Sequence, residues 1–328
     1  TSLFKNPRLK LNRKILIQDF LEQKTLSRGF PAHLKIELTS YCNLKCKVCP
    51  SRIMKRGEGF IDPNLFKSII DQTKKTEFIY HHFMGESLFH PNVFELINYS
   101  KQKGIKTGLS TNATILDKEK AKEMIKSGLD FLVISFDGGS KETYENIREN
   151  ANYHQTLINI QNLLSLVKKS KTKLIPVVQV IDYDMDTATI QKLYDTFDCG
   201  IMLKVAKDWA GSVDIDSMLK KTNEITCLLP WIEMSILWDG RVVPCANCFD
   251  PQNTLGDANK QGLYEIWNSP VMQNFRRIHI DKNLKMVDVC NECPKYQVNL
   301  AEFQKYNQCE IRLKTYDNRD FKVRKGLS

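Results

Sequence analysis

The segment "LKIELTSYCNLKCKVCP", Leu34 to Pro50, decides how the rest of the chain is read. Its first half is strand-like. Its second half carries Cys42, Cys46 and Cys49 at C-x3-C-x2-C spacing, with no fourth cysteine beside them. Three soft thiolates select zinc, copper(I) or an iron–sulfur cluster. A structural zinc site wants four ligands, so a set of three leaves a coordination position open. A four-iron cluster held by three thiolates has one iron free for a non-protein ligand.

Working outward, strand and helix patterns alternate. Strand-like runs lie at 34–40, 78–85, 106–112, 130–137, 173–181 (despite its Pro176) and 201–207. Helical spacing lies between them at 63–75, 91–104, 117–128, 140–170 in two pieces, and 186–197. Six such units imply parallel strands joined by right-handed crossovers. Six are too few to close an eight-fold barrel, so the pattern predicts an α/β partial (β/α)6 barrel. Its chemistry belongs at the C-terminal strand ends, and the cysteine loop follows the first strand directly. Before it, "KLNRKILIQDFLEQK" (10–24) reads as an amphipathic helix with a stripe of Ile15, Leu16, Ile17, Phe20 and Leu21. That arm, residues 1–33, is expected to dock on the core, 34–210. A smaller α+β module, 211–310, and a basic tail, 311–328, complete the domain plan.

The chain has 328 residues, ten cysteines and a formal net charge of +10. No apolar run approaches the ~20 residues of a membrane span, and the basic N-terminus lacks a signal-peptide core. The chain reads as cytoplasmic, where clustered thiols point to metal or redox chemistry rather than to disulfides. The positive balance suits phosphorylated or acidic partners. No zinc-finger spacing or aromatic RNA-binding motif points to nucleic acid.

A second cysteine set lies downstream. Twelve residues separate Cys227 from Gly240 and four more lead to Cys245, followed later by "CNEC", Cys290 and Cys293. "WIEMSILWDGRVVPC" (231–245) reads as a hairpin turning at Asp239-Gly240. The hairpin brings Cys227 and Cys245 together, and the C-x2-C completes four thiolates with no vacancy. Such a set fits an auxiliary 4Fe–4S cluster or a structural zinc.

On these residues the chain resembles the radical S-adenosylmethionine (SAM) superfamily. "MGESLFHP" (84–91), "STNATIL" (110–116) and "ISFDGGSKETYENIR" (134–148) are similar to that family's SAM-binding segments. "CLLPWIEMSILWDGRVVPC" and "LYEIWNSPVMQNFR" (263–276) resemble its SPASM and twitch extensions. The absence of closely spaced cysteines after Cys293 favours the shorter twitch form. The resemblance implies that Cys42, Cys46 and Cys49 hold a 4Fe–4S cluster completed by SAM. Gly85 and Glu86 would meet the SAM amino group. Asn112, Ser135 and Asp137 would meet ribose or methionine, and Arg148 the SAM carboxylate. It also implies reductive SAM cleavage to a 5′-deoxyadenosyl radical that abstracts hydrogen from a C–H bond. Two departures stand out. Val48 replaces the usual aromatic before the third cysteine, near the adenine. Met84-Gly85-Glu86-Ser87 replaces the usual Gly-Gly-Glu-Pro.

With a filled auxiliary cluster as electron acceptor, the expected reaction is two-electron oxidation of a small, hydroxylated, sugar-like or phosphorylated substrate. A flavodoxin- or ferredoxin-type protein would be the reductant. The alternatives are an epimerase, for which Cys199 or Cys248 would be the thiol hydrogen donor, a peptide or protein maturase, and a non-catalytic cluster scaffold. Substrate contacts are expected from Gln179, Lys204, Lys207 and Trp209. Cys309 and Cys248 are left without an assigned ligand role.

Overall fold

A computed structural model describes residues 7–182, 187–205, 209–213 and 227–293. Six strands come first: β1 (His33–Ile36), β2 (Phe78–Tyr80), β3 (Lys106–Thr111), β4 (Phe131–Ser135), β5 (Ile175–Asp182) and β6 (Gly200–Val205). They pair in parallel in simple succession, 6-5-4-3-2-1. The crossovers carry α2 (Pro63–Asp71), α3 (Val93–Gln102), α4 (Lys118–Lys126), α5 (Lys141–Ile147) with α6 (Tyr153–Lys169), and α7 (Thr187–Thr196). Their starts are encoded locally. The Asp62 carboxylate accepts from Asn64 and Leu65 N–H, Asp117 from Lys120 N–H, and Ser140 from Thr143 N–H. Each satisfies donors that the first turn leaves without partners.

Side chains alternate across the sheet. Leu34, Ile36, Ile79, Leu109, Leu132, Ile134 and Val178 are buried in one core with Phe66, Ile69, Leu96, Met124 and Leu163 of the helices. The other face carries Lys35, Tyr80, Ser110, Ser135 and Gln179. Gly108 belongs there because a Cβ would lie 2.5 Å from the Phe78 ring and 2.8 Å from that of Tyr80. Pro176 is tolerated inside the sheet. Ile175 N–H bonds back to Asp130, so the next residue faces β6, whose pairing begins only at Val177. The missing proline donor therefore leaves no gap in the ladder.

The sheet does not end with β1. β7 (Glu233–Ile236) pairs in parallel with it, followed by antiparallel β8 (Arg241–Val243) and β9 (Gly256–Asp257). The hairpin turns at Asp239-Gly240, with Gly240 at φ +90°. A helical turn, α8 (Leu229–Ile232), leads into β7, and α9 (Leu263–Trp267), α10 (Pro270–Ile280) and α11 (Asp288–Asn291) follow. Pro270 opens α10 under a Ser269 cap rather than interrupting a helix, as its fixed φ favours.

Helix α1 (Pro7–Leu21) buries Asn12, Leu16, Asp19 and Phe20. This corrects the expected stripe: Leu21 is 36% exposed, and Ile15 and Ile17 are only half-buried. The polar members are needed because the connection to β1 crosses this face. Asn12 exchanges two hydrogen bonds with the Phe30 backbone, 2.8 and 2.9 Å. Asp19 accepts from Ser27 and Arg28. Phe20 meets Trp231 edge-on at 5.2 Å, so α1 also touches the C-terminal region.

Candidate functional site

The cysteine loop leaves β1 at the C-terminal edge of the sheet. It is pinned on one side by Lys45 N–H to Glu149 O (3.1 Å) and Lys47 N–H to Ile147 O (2.9 Å). Cys46 is buried, and Cys42 and Cys49 are half-buried. Leu44 N–H and the Asn112 amide approach the Cys42 sulfur at 3.5 and 3.8 Å. Burial pushes the Cys42 thiol up to about 12. It pushes Cys46 up to about 11 against the pull of the Arg148 cation. Thiols held this way lose their protons to a metal rather than to water.

The next loop is pressed against this one. Gly85 sits at φ +74°, and a Cβ there would lie 2.4 Å from Thr39 O. Glu86 N–H bonds Tyr41 O at 2.8 Å. The Glu86 carboxylate is buried and accepts from Thr111 Oγ1 (2.9 Å), Asn112 N–H (2.6 Å) and Leu88 N–H (3.1 Å). Burial raises its pKa, opposed chiefly by the Asn112 N–H. Asn112 uses its side chain on Thr114 and Asn43.

From β4, Ser135 lies half-buried opposite Gln179 of β5. Asp137 is fully buried. It bonds the Arg148 guanidinium at 2.6 Å and accepts from Ile181 N–H at 2.9 Å. Burial, the largest single influence, lowers the pKa of Arg148, but the charge and hydrogen bond of Asp137 together with Cys46 and Tyr144 outweigh it and raise the value. Arg148 Nε, buried, is left without a hydrogen-bond partner among the described residues. A cation beside Cys46 with an unused donor is what an anionic ligand of this loop would need.

The second thiol set is half-buried. Cys227, Cys245, Cys290 and Cys293 line one cavity with Asn247 and His279. The Asn247 amide donates to the Cys293 sulfur at 3.4 Å, and His279 Nε2 lies 3.7 Å from that of Cys290. Burial raises the Cys227 and Cys290 thiols, whereas the neighbouring Cys248 thiol, first of several causes, lowers Cys245. Cys248 is buried outside the cavity lining, at 1% exposure, among Phe83, Met84, Leu237, Val243 and Phe249. Among the described residues no three His, Cys, Asp or Glu side chains converge as one metal ion would require. Each thiolate of a cubane cluster meets a different iron, so cluster ligands need not converge. Both sets fit such a group. The first has three thiols, two donors aimed at Cys42 and an unused guanidinium Nε–H, and the second has four thiols around a cavity.

The apolar group that holds Cys248 borders both sets. Met84, Met54 and Trp209 reach it from the first, Cys245, Ala246 and Val289 from the second. A buried ion pair also joins them. Glu37 at the end of β1 bonds both Arg56 terminal nitrogens, at 2.5 and 2.7 Å. It also accepts from Met84 N–H and Trp238 N–H. Arg56 donates to Phe249 O, and Asp250 accepts from Lys55 and Arg56 N–H. Sequence reasoning missed Glu37, Arg56 and Asp250. The signal, an acid closing an apolar strand, is faint.

Other expected residues lie elsewhere. Cys199 enters β6 at its N-terminal end, the end opposite the cysteine loop, and is not brought into the group; burial raises its thiol to about 12. Lys204 lies in β6 opposite Ile181. Its side chain, with Lys207 and Cys309, falls outside the described residues. Trp209 is half-buried and donates its indole N–H to Val48 O at 2.9 Å.

The model of the radical SAM superfamily matches residues 36–191, and that of the SPASM iron–sulfur cluster-binding domain matches 227–294. The chain belongs to the radical SAM superfamily. It is an enzyme of that superfamily with a C-terminal SPASM-type extension, and its cofactors are SAM, the 4Fe–4S cluster that binds SAM, and an auxiliary iron–sulfur cluster. Among curated relatives it is 25% identical to the tungsten-containing aldehyde ferredoxin oxidoreductase cofactor-modifying protein of Pyrococcus furiosus, over 80% of this chain and 86% of the other. It is 22% identical to the S-adenosyl-L-methionine-dependent 2-deoxy-scyllo-inosamine dehydrogenase of Niallia circulans, over 83% and 96%. Of solved structures, BtrN in complex with AdoMet and 2-DOIA shares the fold at TM-score 0.58 and 18% identity, over 81% and 93%. Streptococcus suis SuiB bound to precursor peptide SuiA does so at 0.65 and 16%, over 83% and 72%. No described helix is long and apolar enough to cross a membrane.

Proposed function

We propose that this radical SAM enzyme catalyses two-electron dehydrogenation of a small, hydroxylated, sugar-like substrate. Cys42, Cys46 and Cys49 hold the cluster that binds SAM, and Cys227, Cys245, Cys290 and Cys293 hold the auxiliary cluster. When bound, these groups supply a carbon radical that removes a hydrogen atom and an acceptor for the second electron. The protein's residues position and enclose that chemistry. Gly85 lets the Glu86 loop lie against the cysteine loop. Arg148, oriented by Asp137, offers a guanidinium donor to the SAM carboxylate. Asn112, Ser135 and Gln179 present polar side chains at neighbouring strand ends.

The observation that carries the proposal is the single apolar partition bordering both thiol sets. Residues from the surroundings of both sets meet in it, as exclusion of water from a reactive carbon and passage of one electron between the sites would require. The dehydrogenase relative and the similar fold of BtrN support this reading. A maturase reading has its own support, because the mycofactocin maturase of Mycobacterium tuberculosis is 29% identical over 144 residues, 44% of this chain. Epimerisation has less. Its nearer candidate thiol, Cys248, is buried against Cys245. A flavodoxin- or ferredoxin-type protein is the proposed reductant.

The test is anaerobic reconstitution followed by turnover. About eight irons per chain are expected for two four-iron clusters, with 5′-deoxyadenosine and a product two hydrogens lighter than the substrate. A product of unchanged mass, or modification only of a peptide, would replace the proposed reaction.

A further inference from the structure

We infer that Trp209 forms the adenine-binding surface of the SAM site, in place of an aromatic residue at position 48. This rests on the reading that SAM binds at Cys42, Cys46 and Cys49. Three observations lead to it. The indole N–H of Trp209 donates to the backbone carbonyl of Val48, 2.9 Å away across 161 residues of sequence. Val48 immediately precedes Cys49, and its own side chain offers no π-face. Trp209 is half-buried and packs against the apolar partition, a group that includes Met84, next to Gly85 and Glu86. Among the described residues, the aromatic ring bonded to the cysteine loop next to its third thiol therefore also packs against the apolar group to which the Gly85–Glu86 loop contributes Met84.

A ligand chelated at one end by a cluster must rest its purine on some surface within one molecule's length. Purines favour aromatic faces because stacking is available to any base. The Trp209 ring is held at the Val48 peptide by its N–H, so its orientation is set by a backbone atom. The positive φ values of Trp209 (+53°), Ala210 (+58°) and Gly211 (+76°) form a tight turn that carries the ring back over the loop. A non-glycine residue rarely adopts such a conformation unless its surroundings hold it there.

The test uses the reconstituted full chain and SAM binding, followed by equilibrium titration and by perturbation of the cluster's EPR signal. In Trp209→Leu, SAM is expected to bind about tenfold more weakly, within the range of one lost base–aromatic stack. Iron content should be unchanged. Trp209→Phe, which keeps a ring and loses the N–H, should fall between. The discriminating variant is Trp209→Leu with Val48→Phe, which restores an aromatic from the other side of the contact and should recover most of the affinity. Unchanged SAM affinity in Trp209→Leu would overturn the inference. So would a loss that Val48→Phe does not repair. Loss of iron or of all SAM binding in Cys42→Ala but not in Trp209→Leu separates the cluster assignment from the role of the ring.

Discussion

The two thiol sets are built in opposite ways. Cys42, Cys46 and Cys49 lie on one short loop whose backbone is laced to residues 147–149 and to Tyr41–Glu86. Their environment is polar, with Arg148, Asp137, Glu86 and Asn112 close by. Cys227, Cys245, Cys290 and Cys293 come from three separate segments and meet around a cavity. The first set is preorganised by its own loop. The second depends on tertiary assembly around a cavity. Loss of one thiol should therefore have different consequences at the two places.

The sharpest way to break that contrast is to delete one cysteine from each set. Cys42→Ala should abolish 5′-deoxyadenosine formation and remove about four of eight irons. Cys245→Ala should remove a similar amount of iron but leave SAM cleavage measurable, uncoupled from product. Iron analysis with chromatographic assay of 5′-deoxyadenosine checks both. Equal loss of SAM cleavage in the two variants would mean that the sites are not separable.

The next effect concerns the ion pair between them. Arg56→Met leaves the Glu37 carboxylate buried and unpaired, and should cost about 3–5 kcal/mol. Denaturant unfolding measures it. The double change Glu37→Leu with Arg56→Met should cost less than either single change, because the cost is that of an orphaned charge.

A smaller effect is expected at Gly85→Ala. A positive φ and a Cβ 2.4 Å from Thr39 O should together cost about 1–3 kcal/mol and displace Glu86. SAM affinity should fall while auxiliary iron stays, which would sharpen the contrast.

The smallest effect is a pH dependence beside the first site. His81 is fully buried between Gly108 O (3.2 Å) and Ser100 Oγ (3.0 Å), and burial pushes its pKa down to about 4. It is neutral in the folded chain, while the unfolded chain binds a proton near the ordinary histidine value of about 6.5. Its contribution is therefore complete above that pH and is lost as pH falls toward 4, at up to about 1.4 kcal/mol per pH unit. Urea unfolding at several pH values tests this. His81→Gln should flatten the acid limb, and an unchanged slope would assign it elsewhere.

Much of this was legible in the sequence, for local reasons. Cysteine spacing, strand–helix rhythm, capping residues and the Asp239-Gly240 turn each act over a few residues. The features that escaped involve distant partners. The α1 stripe differs because Asn12 and Asp19 satisfy a chain segment that hydrophobic periodicity does not see. Glu37 and Arg56 are unremarkable in sequence until the strand end and the loop are folded together. Trp209 stands out in the sequence, but its contact with Val48 depends on where the chain returns after β6.

The pairing of β7 with β1 has a consequence for synthesis. Until Glu233–Ile236 has emerged and docked, β1 is an edge strand with its backbone groups unpaired on one side. That edge leads directly into the Cys42–Cys49 loop. Chains halted before residue 227 would present an adhesive strand beside three naked thiols. Nascent protein would then be most vulnerable to aggregation and oxidation during the interval between translation of the barrel and arrival of the last cysteines, and co-expression with iron–sulfur assembly proteins should raise soluble yield by capping the first three thiols within it.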